Sequence, residues 1–239
     1  MPCWQPAGRR IYLDTQRIMT FVTRLFVILM ILPLHEFAHA WSAHKLGDDT
    51  AKYEGRMTID PLAHIDIFGS LCLLLGGFGW AKPVPVNPAN FDRKHSMRGG
   101  MAITAAAGPI SNLIAAIVGM MIYRVVWCFA SFRLAYYEAE IGAQICHYFL
   151  QAFVMINIGL AVFNLIPVPP LDGSKILGYF LNDKVDRWMD RNYQIVSIVF
   201  VVLLISGILN QPMFFVESKI FDGMIAITNW IPHLLGSIG

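Results

Sequence analysis

His35, Glu36 and His39 form the pattern H-E-x-x-H inside an otherwise apolar run, Leu34-His35-Glu36-Phe37-Ala38-His39-Ala40. On an α-helix the two imidazoles lie one turn apart on one face and can reach a single metal ion. The glutamate beside them can take a proton from a water bound to that metal, so zinc-dependent hydrolysis is the chemistry to test against the remainder of the chain. The setting strengthens the reading. Ionisable side chains in an apolar helix cost about 2–3 kcal/mol each even on the lenient insertion scale, so a cluster of them at membrane depth is functional by default. The plain alternative is a helix end whose polar side chains simply meet headgroups and water.

The elements that must carry these residues are those of a membrane protein. Hydrophobic residues make up 56% of the 239 and charged residues 14%, with a mean hydropathy of +0.55, far from a soluble composition. A net charge of +2 is too small to argue for a nucleic-acid partner. Cys3, Cys72, Cys128 and Cys146 are scattered with no C-x-x-C pair, which indicates neither a zinc ribbon nor a disulfide framework.

In chain order, a first span is expected over about 19–46, interrupted by Arg24 and Pro33; Pro33 removes a backbone hydrogen bond close to the histidines, and a kink there would open a face to ligand or water. No small-residue cleavage site follows this run, so an uncleaved helix is expected rather than a removed signal. Residues 47–66 are polar and turn-rich. Residues 67–80, IFGSLCLLLGGFGW, are apolar but too short for a comfortable span, and their glycines followed by Lys82-Pro83-Val84-Pro85 favour extended or looped backbone in a re-entrant segment. A second span is expected over about 100–127, with Ala105, Gly108, Asn112, Ala116 and Gly119 on nearly one face for close helix approach. A third, about 141–166, puts Asn157 and Asn164 on one inward face and ends at Pro167, Pro169 and Pro170, just before Asp172-Gly173. A fourth covers about 193–209, and the tail to Gly239 is expected to be an interfacial or half-buried helix.

Parity of the spans supplies a third ligand. The histidines sit near the far end of span one, and the end of span three returns to the same side of the membrane. Asp172 stands there, and three protein ligands leave a fourth position open, as a catalytic zinc requires. His44, His64, His95, His147 and His233 lack a comparable partner.

Together HEFAH, GDDTAKYEGRMTIDPLAHID, GWAKPVPVNP, AGPISN and FNLIPVPPLDG resemble the site-2 protease family of intramembrane zinc metalloproteases, in its compact prokaryotic branch without a PDZ domain. The resemblance covers roughly residues 30–180. It implies that His35, His39 and Asp172 bind one Zn2+ per chain, that Glu36 is the general base, and that Asn164 positions substrate or stabilises the oxyanion. It further implies that the 67–86 region is a membrane-embedded β-hairpin whose edge receives an unwound transmembrane substrate.

The expected fold is therefore membrane, mainly α: a polytopic helical bundle of about four to five transmembrane helices with a short re-entrant β-hairpin-like segment. Its parts would be an N-terminal segment 1–18, a catalytic membrane core 19–192 holding the re-entrant segment at about 67–88, and a C-terminal helix and tail, 193–239. The expected partners are a transmembrane protein or peptide substrate and the lipid bilayer, and a homo-oligomer is compatible with these spans. Lys and Arg are concentrated in 45–98 and 172–192 against Arg133 alone in the loop 131–140, which places the zinc toward the cytoplasmic side of a prokaryotic cell membrane. Arg9, Arg10 and Arg17 pull against that orientation. Two other readings of the motif stand beside the protease. A zinc transporter would show more spans and more ligands on neighbouring helices, and a non-catalytic zinc-binding scaffold would have a closed fourth position and no need of Glu36.

Overall fold

The structure is a computed structural model that describes residues 21–76, 79–138, 140–181 and 183–235. The N-terminal segment 1–18, with its three arginines, and Gly77 of the re-entrant run lie outside these residues. Three helices are long and apolar enough to cross a membrane: α1, Phe21–Lys45, then two further ones at Met97–Cys128 and Ile141–Asn164. Short helices separate the first two, namely α2 (Thr50–Tyr53), α3 (Pro61–His64) and α4 (Ile67–Gly76), so the long pair are α5 and, after α6 (Ala130–Tyr137), α7. Beyond them lie α8 (Asp172–Phe180), α9 (Asp183–Arg191), α10 (Tyr193–Ile205), α11 (Asn210–Thr228) and α12 (Trp230–Leu235). The pair from Tyr193 to Leu235 is apolar enough for a fourth span but bends by 80° at its break. Among the described residues there are thus three candidate spans, or four with the bent pair, against the expected four to five.

Within α1, residues Val27–Ile31 take π-helical spacing immediately before Pro33. The cause is local. Proline has no N–H to give the carbonyl one turn back, and its ring crowds that carbonyl, so the backbone widens by one residue there and resumes α-geometry at Leu32. The expected disturbance near Pro33 thus takes the form of a π-turn lying one to two turns before His35.

The described part of the run 67–80 does not take the expected hairpin form. Among the described residues no strand is formed; 67–76 is helix α4, and the return arm, 79–87, has no regular secondary structure. Both ends of α4 are satisfied. Asp66 accepts from the Gly69 N–H at 2.7 Å, as an N-cap does, and the Arg24 guanidinium donates to the Leu74 and Leu75 carbonyls at 2.8 and 3.1 Å. An anion at the first turn and a cation at the last also suit the helix dipole. The return arm lies directly on the helix: a methyl group at Gly69 would strike the Trp80 carbonyl, and one at Gly79 the Gly69 carbonyl.

Helix α5 is the hub and packs against α1, α7 and α8. Its small residues do what their spacing predicts. Ala105, Gly108, Asn112, Ala116 and Gly119 are all buried, and a side chain at 119 would overlap the Phe153 ring of α7. The opposite face, Ile110, Ile114, Val118 and Ile122, is exposed, an apolar surface turned outward while an asparagine is hidden, as lipid demands. Ala116, Met120, Val154, Ile158, Val162 and Met224 form the main apolar core. Met224 brings α11 into it, so the tail is half-buried against α7 and α5.

Candidate metal centre

His35 and His39 are buried on α1, and their Nε2 atoms lie 3.0 Å apart. Asp172, the first residue of α8, directs Oδ2 to 3.3 Å from His35 Nε2 and 3.2 Å from His39 Nε2. Among the described residues this is the one group of three or more His, Cys, Asp or Glu side chains placed to hold a metal ion, with the ligand atoms within 4.8 Å of one another.

Two glycines let these parts meet. A methyl group at Gly108 of α5 would run into both imidazole rings, and one at Gly173 would strike the Leu165 and Ile166 carbonyls of the turn that delivers Asp172. The AGPISN and PPLDG motifs are therefore close-approach devices as well as signatures.

The outer nitrogens of the imidazoles are also engaged. His39 Nδ1 lies 2.7 Å from the Thr104 carbonyl oxygen, which can only accept, so this nitrogen carries the hydrogen and Nε2 keeps its lone pair. His35 Nδ1 is 2.6 Å from Asn112 Oδ1. Asn112 and Asn157, both 0% exposed, are joined by a further hydrogen bond of 2.9 Å.

Glu36 and Asn164 line one cavity of about 410 Å³ with His35, His39, Asp172 and the return arm at Trp80, Pro83 and Val84. Glu36 Oε2 accepts from the Val84 N–H at 3.0 Å. Asn164 gives one amide hydrogen to the Leu160 carbonyl at 3.0 Å and has a second to give. The arm is fixed from outside the cavity as well. Arg56 donates to the Lys82 and Pro83 carbonyls, and buried Asp48 accepts from the Asn87 N–H at 2.7 Å and from the Asn90 side chain at 2.9 Å.

The structure thus brings His35, Glu36, His39, Asn164 and Asp172 around one cavity. Four other histidines are engaged elsewhere: His44 with Asp49, His64 with the Thr58 carbonyl, His95 with Asp92, and His147 among Tyr123, Trp127 and Tyr136. Sequence reading did not find the Thr104, Val84 and Asn157 contacts with this site. Asn157 alone left a signal, as an amide in the middle of an apolar span.

The chain is similar to several known proteins. The sequence model of Peptidase family M50 matches residues 130–207, a stretch that includes Asn157, Asn164 and Asp172. The protein named "Putative zinc metalloprotease YwhC" from Bacillus subtilis is 36% identical over 182 residues, 76% of this chain and 80% of that protein. "Putative zinc metalloprotease Rip2" from Mycolicibacterium smegmatis is 31% identical over 219 residues, covering 87% of this chain and 78% of that protein. The protein of the same name from Mycobacterium tuberculosis is 28% identical over 224 residues. No solved structure matches the chain. With a relative this similar matched across most of both chains, and with the site-2 protease motifs gathered around one cavity, the chain belongs to peptidase family M50.

Proposed function

We propose that the chain is an intramembrane zinc endopeptidase that hydrolyses peptide bonds within or near transmembrane segments of membrane proteins. The observation that carries this is the convergence of three electron-pair donors, His35 Nε2, His39 Nε2 and Asp172 Oδ2, at 3.0–3.3 Å from one another. Each imidazole spends its hydrogen on an outer acceptor, so the inner atoms face each other as lone pairs. Such a cluster calls for a cation, and two imidazoles with a carboxylate suit zinc. The residues fit the ion in the relatives' names.

When bound, zinc supplies Lewis acidity at this cluster. Glu36, held by Val84 N–H and open to the cavity, takes the proton of the attacking water and returns it to the leaving amine. The second amide hydrogen of Asn164 is the cavity's donor for the developing oxyanion. The arm 79–87 lines the same cavity and serves as the edge against which an unwound substrate lies. With Lys45, Lys52, Arg56 and Lys82 on the polar side of α1, the site opens toward the cytoplasmic face of a prokaryotic membrane.

The test is a co-expressed membrane substrate with zinc analysis of the purified enzyme. Glu36→Gln is expected to keep zinc and lose cleavage by about 10²–10⁴-fold, while Asp172→Ala loses zinc. Normal cleavage by Glu36→Gln overturns the mechanism.

A further inference from the structure

A run of hydrogen bonds crosses the three long spans behind the metal cluster, and its direction can be read from one end. It begins at the Phe153 carbonyl of α7, which can only accept. Asn157 Nδ2 donates to it at 2.8 Å, so the Asn157 amide is oriented with its oxygen toward α5. That oxygen accepts from Asn112 Nδ2 at 2.9 Å, so the Asn112 amide is oriented in turn, with its own oxygen toward α1. His35 Nδ1 stands 2.6 Å from this oxygen and must be the donor. A backbone carbonyl on α7 thereby decides, through two amides, which nitrogen of a histidine on α1 carries the hydrogen.

We propose that Asn112 and Asn157 are positioning residues for the metal: they lock His35 in the Nδ1–H form, fix the plane of its ring, and keep the Nε2 lone pair aimed at the zinc. This rests on the zinc reading given above. A packing role alone does not account for the arrangement. Small apolar residues already bring α5 and α7 together at Ala116 and Gly119, whereas two wholly buried amides cost free energy unless their hydrogen bonds are complete. Here the Asn112 oxygen finds its partner in His35. The device also differs from that at His39, whose Nδ1 is held by the Thr104 backbone carbonyl, so substitution of a partner side chain can remove the Nδ1 acceptor of His35 but not that of His39.

Two measurements on the full chain in detergent test the proposal. In histidine-labelled, chelator-stripped protein at a pH well above the usual histidine pKa, 15N NMR is expected to show His35 protonated at Nδ1, its signals identified by their loss in His35→Ala. This needs no variant at 112 or 157 to fold. In zinc competition against a chelator, Asn112→Leu is expected to weaken binding about ten- to a hundredfold, the range for outer-shell partners of metal-bound histidines. It should also change the visible absorption of the cobalt(II)-substituted protein. Asn112→Asp, which keeps an acceptor for Nδ1–H, should restore most of the affinity, and Asn157→Leu should weaken zinc less than Asn112→Leu. An Nε2-protonated His35 in the native chain, or wild-type zinc affinity and cobalt spectrum in Asn112→Leu, overturns the proposal. A native chain that binds no zinc overturns the zinc reading instead, and the NMR result then decides the relay by itself.

Discussion

The backbone N–H of Val84 donates to the carboxylate of Glu36 at 3.0 Å across a sequence separation of 48 residues. Pro83 and Pro85 flank Val84 and have no N–H to offer, so this part of the arm meets Glu36 through one donor. Removing it with Val84→Pro should free the carboxylate to turn, lowering kcat roughly tenfold or more, as expected for a lost hydrogen bond to a charged group. Val84→Ala keeps the donor and should keep kcat. Steady-state cleavage of a fluorogenic membrane substrate separates the two; equal kcat for both variants would sink the idea.

At Gly108 the smallest possible addition should be felt at the metal. Gly108→Ala places a methyl group against both imidazole rings, so α5 must retreat or the rings must turn. Zinc per chain, measured after gel filtration, should fall well below that of the unaltered protein, while far-ultraviolet circular dichroism stays helical. Retention of full zinc would mean that the helices have more freedom than their packing indicates.

Arg24 holds the end of α4 through the Leu74 and Leu75 carbonyls. Arg24→Gln should cost about 1–3 kcal/mol, the range for charged hydrogen bonds left unmade, and the loss should be local. Hydrogen exchange is the suitable readout: amides of 67–76 should exchange faster than in the native chain, with those of α5 unchanged. Uniform protection in the variant would show that the latch contributes nothing.

Asp48 predicts an acid-sensitive anchor outside the spans. Burial pushes its pKa up, but hydrogen bonds from Thr50, Asn90 and Asn87 outweigh burial and hold the carboxyl below its usual 3.8. A depressed folded-state pKa gives stability that is fully present above the unfolded value and is lost as pH falls from there through the folded value. Asp48→Asn should therefore lower the unfolding temperature at neutral pH, and the gap from the native chain should close as pH drops below about 4. Thermal melts in detergent across that interval check the sign; a gap that widens on acidification contradicts it.

Much of the site could be read directly because its signals are local. His35, Glu36 and His39 share one helical turn, and Asp172 follows a proline break that any reading of spans must respect. The long spans were equally legible from apolar length. Helix α4 was not, because a short apolar run with glycines reads the same for strand and helix; Asp66 as its cap and Arg24 as its far partner decide the matter, and Arg24 lies on another element. The pairing of Asn112 with Asn157 depends on which faces of α5 and α7 meet, and Val84 with Glu36 on how the arm returns. Side-chain periodicity within one element carries neither.

The ligands of the candidate metal centre also bear on timing. His35 and His39 come early in the chain, their buried supports on α5 and α7 come later, and Asp172 follows all of them. During synthesis, a nascent chain still short of residue 172 already holds most of the residues that line the cavity but only two of the three ligands. The polypeptide order therefore withholds the third ligand until the three long helices have been made.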